Sequence, residues 1–125
     1  MIEFEIRENI DPKFDNWEGL RNWVEISLVS EGCVLGNLNF VFMSDEDLLF
    51  YNRKFLNHDF YTDVITFDDC EGLMINGDVL ISVDRIIDNA IILDNNYLDE
   101  FCRVVIHGVL HLCGYKDKSD SEEII

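Results

Sequence analysis

The feature that most constrains this chain is a hydrophobic period that switches repeatedly between two residues and about 3.6. Residues 2–7 alternate Ile2, Phe4 and Ile6 against Glu3, Glu5 and Arg7, as in a strand with one face on a core and one in water. Asp11-Pro12 breaks that strand. From Trp17 the apolar positions recur at helical spacing, through Leu20, Trp23, Val24 and Leu28. The spacing predicts a helix to about Glu31, stopped by Gly32. Asp15 followed by Glu18 resembles a capping box at its start.

The same switching continues. Asn37 to Met43 places Leu38, Phe40 and Phe42 on one face of a second strand. Ser44 is placed to cap a short helix from Asp45, whose first turn is acidic as the helix dipole prefers. That helix carries Leu48, Leu49 and Tyr51 toward Asn52-Arg53-Lys54, and Asn57-His58-Asp59 reads as a loop. Thr62 to Phe67 is rich in β-branched and aromatic residues, so a third strand is expected, and Asp68 to Gly72 turns the chain. Asn76-Gly77 predicts a hairpin turn leading into a strand from Asp78 to Val83. A helix follows over Arg85 to Leu93, Asn95-Asn96 breaks it, and a last helix runs from about Leu98 to Cys113 before Gly114. The expected order is βαβαββαα. This is a single small α/β (α+β) domain over residues 1–125, with a mixed sheet of about four strands packed with helices. At 48% hydrophobic residues, the 125-residue chain has the material for one core.

Charge narrows the partners. The formal net charge is −17, and phosphates repel carboxylates, so any grip on nucleic acid must come from the few basic residues, a metal or a protein partner. The start, MIEFEIRENI, lacks a basic n-region and an apolar run of signal-peptide length, and no stretch approaches a membrane span. A cytoplasmic protein without a membrane partner is expected. Cys33, Cys70, Cys102 and Cys113 fit no C-x-x-C pattern, so free and mostly buried thiols are expected.

The last helix carries the chemistry. His107 and His111 stand at i and i+4, on one face, with Cβ atoms about 5–6 Å apart. Both imidazoles can converge on one cation. Gly114 then turns the chain, and Asp117 can fold back as a third ligand. Two imidazoles and a carboxylate suit a divalent metal with an open position, zinc above all, though iron, manganese and nickel accept the same ligands. Gly108 stands where a metalloprotease helix carries its general-base glutamate, which argues against a peptidase. A helical glycine costs about 1 kcal/mol relative to alanine, so a reason is required. The expectation is that Gly108 keeps space open beside the metal.

The segment His107 to Asp117, HGVLHLCGYKD, closely resembles H-G-x-L-H-L-x-G-Y-D-H, the signature of the YbeY family of rRNA-maturation factors. Only the last two positions depart. Tyr51 to Phe67, YNRKFLNHDFYTDVITF, resembles the family stretch L-N-x-x-Y-R-x-x-x-x-P-T-D-V-L-S-F, and Gly77 to Ser82, GDVLIS, resembles G-D-I-x-I-S. The resemblance implies a metal-dependent, single-strand-specific endoribonuclease with a small α/β fold. It further implies a role in 3′-end maturation of small-subunit rRNA and in ribosome quality control, and a metal, usually zinc, held by three histidines. The third of these falls on Asp117, where a carboxylate can replace an imidazole; Asp120 or water are the alternatives. The family's arginine falls on Leu56, leaving Arg53, Lys54 and His58 as candidates to bind substrate. Thr62 and Asp63, in the same stretch, are expected to be structural or to line the pocket. The implied partners are single-stranded rRNA and the small ribosomal subunit, and the acidic surface suits a basic ribosomal protein. Two other readings remain open from the residues: an assembly factor with a structural metal, and a metal-dependent hydrolase of another substrate.

Overall fold

A computed structural model describes residues 1–115. Its elements are β1 (Ile2–Ile6), α1 (Trp17–Ser30), β2 (Val34–Met43), α2 (Asp45–Leu56), β3 (Val64–Asp68), β4 (Met74–Ser82), α3 (Val83–Ile92) and α4 (Tyr97–Leu112). The order and the α+β class agree with the reading of the sequence. The sheet runs β1-β2-β4-β3. β1 and β4 lie parallel to β2, and β3 closes the other edge antiparallel to β4. The β1-α1-β2 unit is thus a parallel crossover, which needs a helix to carry the chain back.

Strand alternation sorts the core into two parts. Leu38, Phe40, Phe42, Val79 and Ile81 point to one face, where α1, α3 and α4 bury their apolar stripes. Its centre is aromatic: the Phe101 ring stacks on Phe42 at 5.4 Å and on Phe14 at 4.5 Å. The opposite face receives only α2, over a small cluster of Met43, Leu48, Ile65 and Leu80. The remainder of that face is open and lined by Glu3, Glu5, Asn39 and Asp78.

Several local expectations are corrected. The cap of α1 is Asn16, whose side chain accepts from the Gly19 N–H at 3.1 Å, and not Asp15 in a box with Glu18. β2 begins at Val34, three residues before Asn37, because Val34 and Leu35 pair with Met74 and Ile75. Ser82 starts α3, its hydroxyl accepting from the Arg85 N–H at 3.1 Å. Asn96, read as a breaker, caps α4 by accepting from the Leu98 N–H at 2.8 Å.

Asn76-Gly77 is the largest correction. It lies inside β4, and the hairpin turns earlier, closed by reciprocal bonds between Glu71 and Met74 at 3.0 and 2.9 Å. The Asn76 side chain instead accepts from the Asn37 N–H at 2.8 Å, where the β2–β4 register shifts. A Cβ on Gly77 would lie 2.3 Å from the Phe67 carbonyl oxygen, so the close passage of β3 demands glycine. The cysteines are free among the described residues, but only Cys33 is fully buried; Cys70, Cys102 and Cys113 are partly exposed. Among the described residues, no helix is long and apolar enough to cross a membrane.

Candidate active site

α4 is an amphipathic helix held hard against the sheet. Glu100, Phe101, Val104, Val105, Gly108, Val109 and Leu112 are its buried positions. Asp99 and Glu100 occupy its first turn and His111 its last, the arrangement its dipole favours. Gly108 belongs to the buried stripe. A Cβ there would lie 2.6 Å from Val79 Cγ1 and 3.2 Å from Val64 Cγ2. The glycine therefore lets α4 approach β3 and β4, which corrects the expectation that its role is to keep space open beside the metal.

His107 and His111 sit at the edge of this contact, each partly exposed. Their Nε2 atoms are 2.8 Å apart, and their ring centroids 4.5 Å apart with planes inclined at 55°. The two nitrogens thus converge as the i, i+4 spacing predicts. Past them, α4 ends in a Schellman turn. The Tyr115 N–H reaches the Leu110 carbonyl at 3.0 Å and the Gly114 N–H reaches that of His111 at 3.1 Å. Gly114 adopts φ +108°, a conformation that favours glycine. The Tyr115 hydroxyl donates to Glu31 at 2.8 Å, tying the end of α4 to the end of α1. That carboxylate also pushes the Tyr115 hydroxyl above its ordinary pKa.

Asp117 lies outside the described residues, as do Lys116 and Asp120. Among the described residues, no group of three His, Cys, Asp or Glu side chains is placed to hold a metal. The pair itself fits two ligands of one divalent ion, because both donors are imidazole nitrogens aimed at one region from one rigid helix.

Arg53, Lys54 and His58 are placed differently. α2 lies across the sheet from α4, and the loop after it runs back to Asp63 beside Arg103 of α4. Arg53 is ion-paired with Asp59. Lys54 Nζ lies over the Phe50 and Phe55 rings at 5.5 and 5.4 Å, and His58 stacks on Phe60 at 4.9 Å. The buried Asn52 orders this loop, donating to the Phe60 carbonyl at 2.8 Å. Leu56 is partly exposed at the end of α2.

The loop ends at Asp63, and here the structure adds a network that pattern reading missed. Arg103 Nε donates to both carboxylate oxygens of Glu100, at 2.9 and 3.0 Å. Asp63 lies 3.5 Å from Arg103 Nη2 and accepts from Asn89 Nδ2 at 3.3 Å. Glu100 is fully buried. Its hydrogen bonds to Arg103 hold its carboxyl below the usual range against the opposing effect of burial, with Asn95 and Asn89 assisting. The available signal was spacing, since Arg103 stands four residues before His107 as His107 stands before His111.

This architecture and histidine pair can be compared with known proteins. The model of the family described as Endoribonuclease YbeY matches residues 2–125. The chain belongs to the YbeY family. It is 50% identical over 101 residues to the Endoribonuclease YbeY of Porphyromonas gingivalis, covering 81% of this chain and 67% of that one. It is 44% identical over 124 residues to the Flavobacterium psychrophilum protein of the same name, covering 99% and 83%. Among solved structures, the solution structure of TM1509 from Thermotoga maritima superposes with a TM-score of 0.66 at 28% identity, covering 98% and 83%. The resemblance carried by His107 to Asp117 thus extends over residues 2–125 of this chain.

Proposed function

We propose that this YbeY-family chain is a cytoplasmic, metal-dependent, single-strand-specific endoribonuclease that matures the 3′ end of small-subunit rRNA and serves ribosome quality control. The observation that carries the reading is the 2.8 Å approach of His107 and His111 Nε2 on a helix of this family. In this reading His107 and His111 bind one divalent ion, zinc by preference, through neutral nitrogens, and Asp117 supplies the third ligand. The ion contributes Lewis acidity, stabilising charge on a phosphoryl oxygen and easing deprotonation of the attacking oxygen. The protein contributes placement: the Gly108 contact seats α4 on the sheet, so both rings start from a backbone that cannot slide. A carboxylate in place of a third imidazole lowers the net positive charge of the site and so its Lewis acidity.

Arg53, Lys54 and His58 are proposed to meet substrate on the α2 side, with Lys54 and its aromatic neighbours offering both charge and stacking surface. The net charge of −17 favours a basic ribosomal protein as the partner that brings the enzyme to its RNA on the small subunit.

The test is cleavage of single-stranded and duplex rRNA fragments by zinc- or manganese-loaded protein. Single strands are expected to be cut, and His111→Ala is expected to lower the rate by more than about a hundredfold, since even outer partners of a ligand are worth 10–100-fold. Undiminished cleavage by His111→Ala would remove the histidine pair from the reaction. Metal content below a tenth of an equivalent after reconstitution would remove the metal.

A further inference from the structure

Leu56 stands where the family stretch has an arginine, so a basic group has to be sought elsewhere on the chain. α4 carries one arginine, Arg103, and no lysine. Arg103, His107 and His111 follow one another at intervals of four residues, so they form a single slowly drifting stripe. Each interval advances the helix axis by about 6 Å. That is close to the step from one phosphate to the next along an extended single strand.

The guanidinium is held in a fixed plane. One edge faces Glu100, which accepts from Nε, with Nη2 also bonded to it, and Asp63 adds a second carboxylate at 3.5 Å from Nη2. Both carboxylates engage the Nε–Nη2 side. Among the described residues, Nη1 makes no hydrogen bond, and the side chain keeps 44% of its surface exposed. An arginine oriented in this way by carboxylates behind it presents its outer donors without the entropy loss that a free side chain would suffer. The carboxylates hold one edge, so the outward edge offers a directional, charge-assisted contact to a phosphate oxygen.

We propose that Arg103 is a substrate-binding residue that takes a non-bridging oxygen of the RNA phosphate neighbouring the one at the histidine pair. This rests on the nuclease reading. Glu100 and Asp63 are then positioning residues that aim Arg103.

The experiment measures binding, not turnover. Zinc-loaded protein is titrated into a fluorescein-labelled, single-stranded 2′-O-methyl oligonucleotide at several salt concentrations, and the strand is checked for integrity afterwards. Arg103→Ala is expected to weaken binding about tenfold, the worth of one charge-assisted hydrogen bond. It should also reduce the slope of log K against log salt by about 0.7, one phosphate contact to a single strand. Arg103→Lys should retain the slope. Should Arg103→Ala unfold because Glu100 is left buried and unpaired, the double variant Glu100→Gln/Arg103→Gln removes both charges and is expected to show the same slope change. A folded variant with the wild-type slope, even if binding is weaker, overturns the proposal, because a structural role would not change the count of phosphates. If wild type binds and cleaves RNA while these variants match it, only the role of Arg103 falls. If wild type does not bind the strand at all, the nuclease reading falls with it.

Discussion

The two faces of the sheet are built to different standards. The face under α1, α3 and α4 is closed by a continuous cluster, with Phe42, Phe101, Val104, Val105 and Val109 all without solvent exposure. The face under α2 has four buried residues, and α2 leaves Phe50 and Phe55 more than half exposed. The histidine pair stands on the first face and the cations Arg53 and Lys54 on the second. A metal site tolerates little misplacement, so its ligands belong on the helix whose seat is fixed by packing. Contacts to a flexible single strand tolerate more, and exposed aromatics with a lysine above them meet that demand.

The contrast predicts unequal costs of truncation. Phe101→Ala removes a ring stacked on two others and should destabilise by about 3–5 kcal/mol in urea unfolding. Leu48→Ala, in the smaller cluster, should cost nearer 2 kcal/mol, the low end for a buried leucine. Equal costs would erase the distinction between the faces.

Gly108→Ala sharpens it further. The added methyl gains about 1 kcal/mol of helix propensity but meets Val79 at 2.6 Å. Overpacking costs about 1–3 kcal/mol, so a net loss of about 1 kcal/mol is expected. Val79→Ala in the same chain should recover most of that increment relative to Val79→Ala alone. An undiminished stability with lost cleavage would restore the idea that Gly108 serves access.

The smallest effect concerns acid. Glu100 titrates below its ordinary value in the folded protein because of Arg103, so its ion pair stabilises the fold above the unfolded carboxyl pKa of about 4.3. That contribution fades as pH falls through the lower, folded value. Glu100→Gln should therefore flatten the loss of stability below about pH 4.3, measured by denaturant titrations at stepped pH. A variant as acid-sensitive as wild type would show that the pair does not set this response.

Much of this was legible in the sequence because period and local chemistry are short-range properties. The alternation of Ile2, Phe4 and Ile6, the helical spacing from Trp17 and the Gly114 stop each depend on a few neighbours. Asn76-Gly77 misled for the same reason: a local turn signal was overridden by β2 and β3 on either side, which use the amide and the missing side chain. Gly108 misled because its reason lies on Val79 and Val64, far away in sequence.

The residues by themselves determined the order of the elements, the i, i+4 placement of His107 and His111, and the turn that follows. Helix geometry fixes those once the helix forms. Only the tertiary structure decided that Gly108 is a contact with the sheet and that α2 and α4 stand on opposite faces. It also decided that Asp63, at the end of the α2–β3 loop, reaches Arg103 beside that arginine's local pair with Glu100. Each of these depends on which strand lies next to which, and that is settled by packing across the whole chain rather than by any one segment.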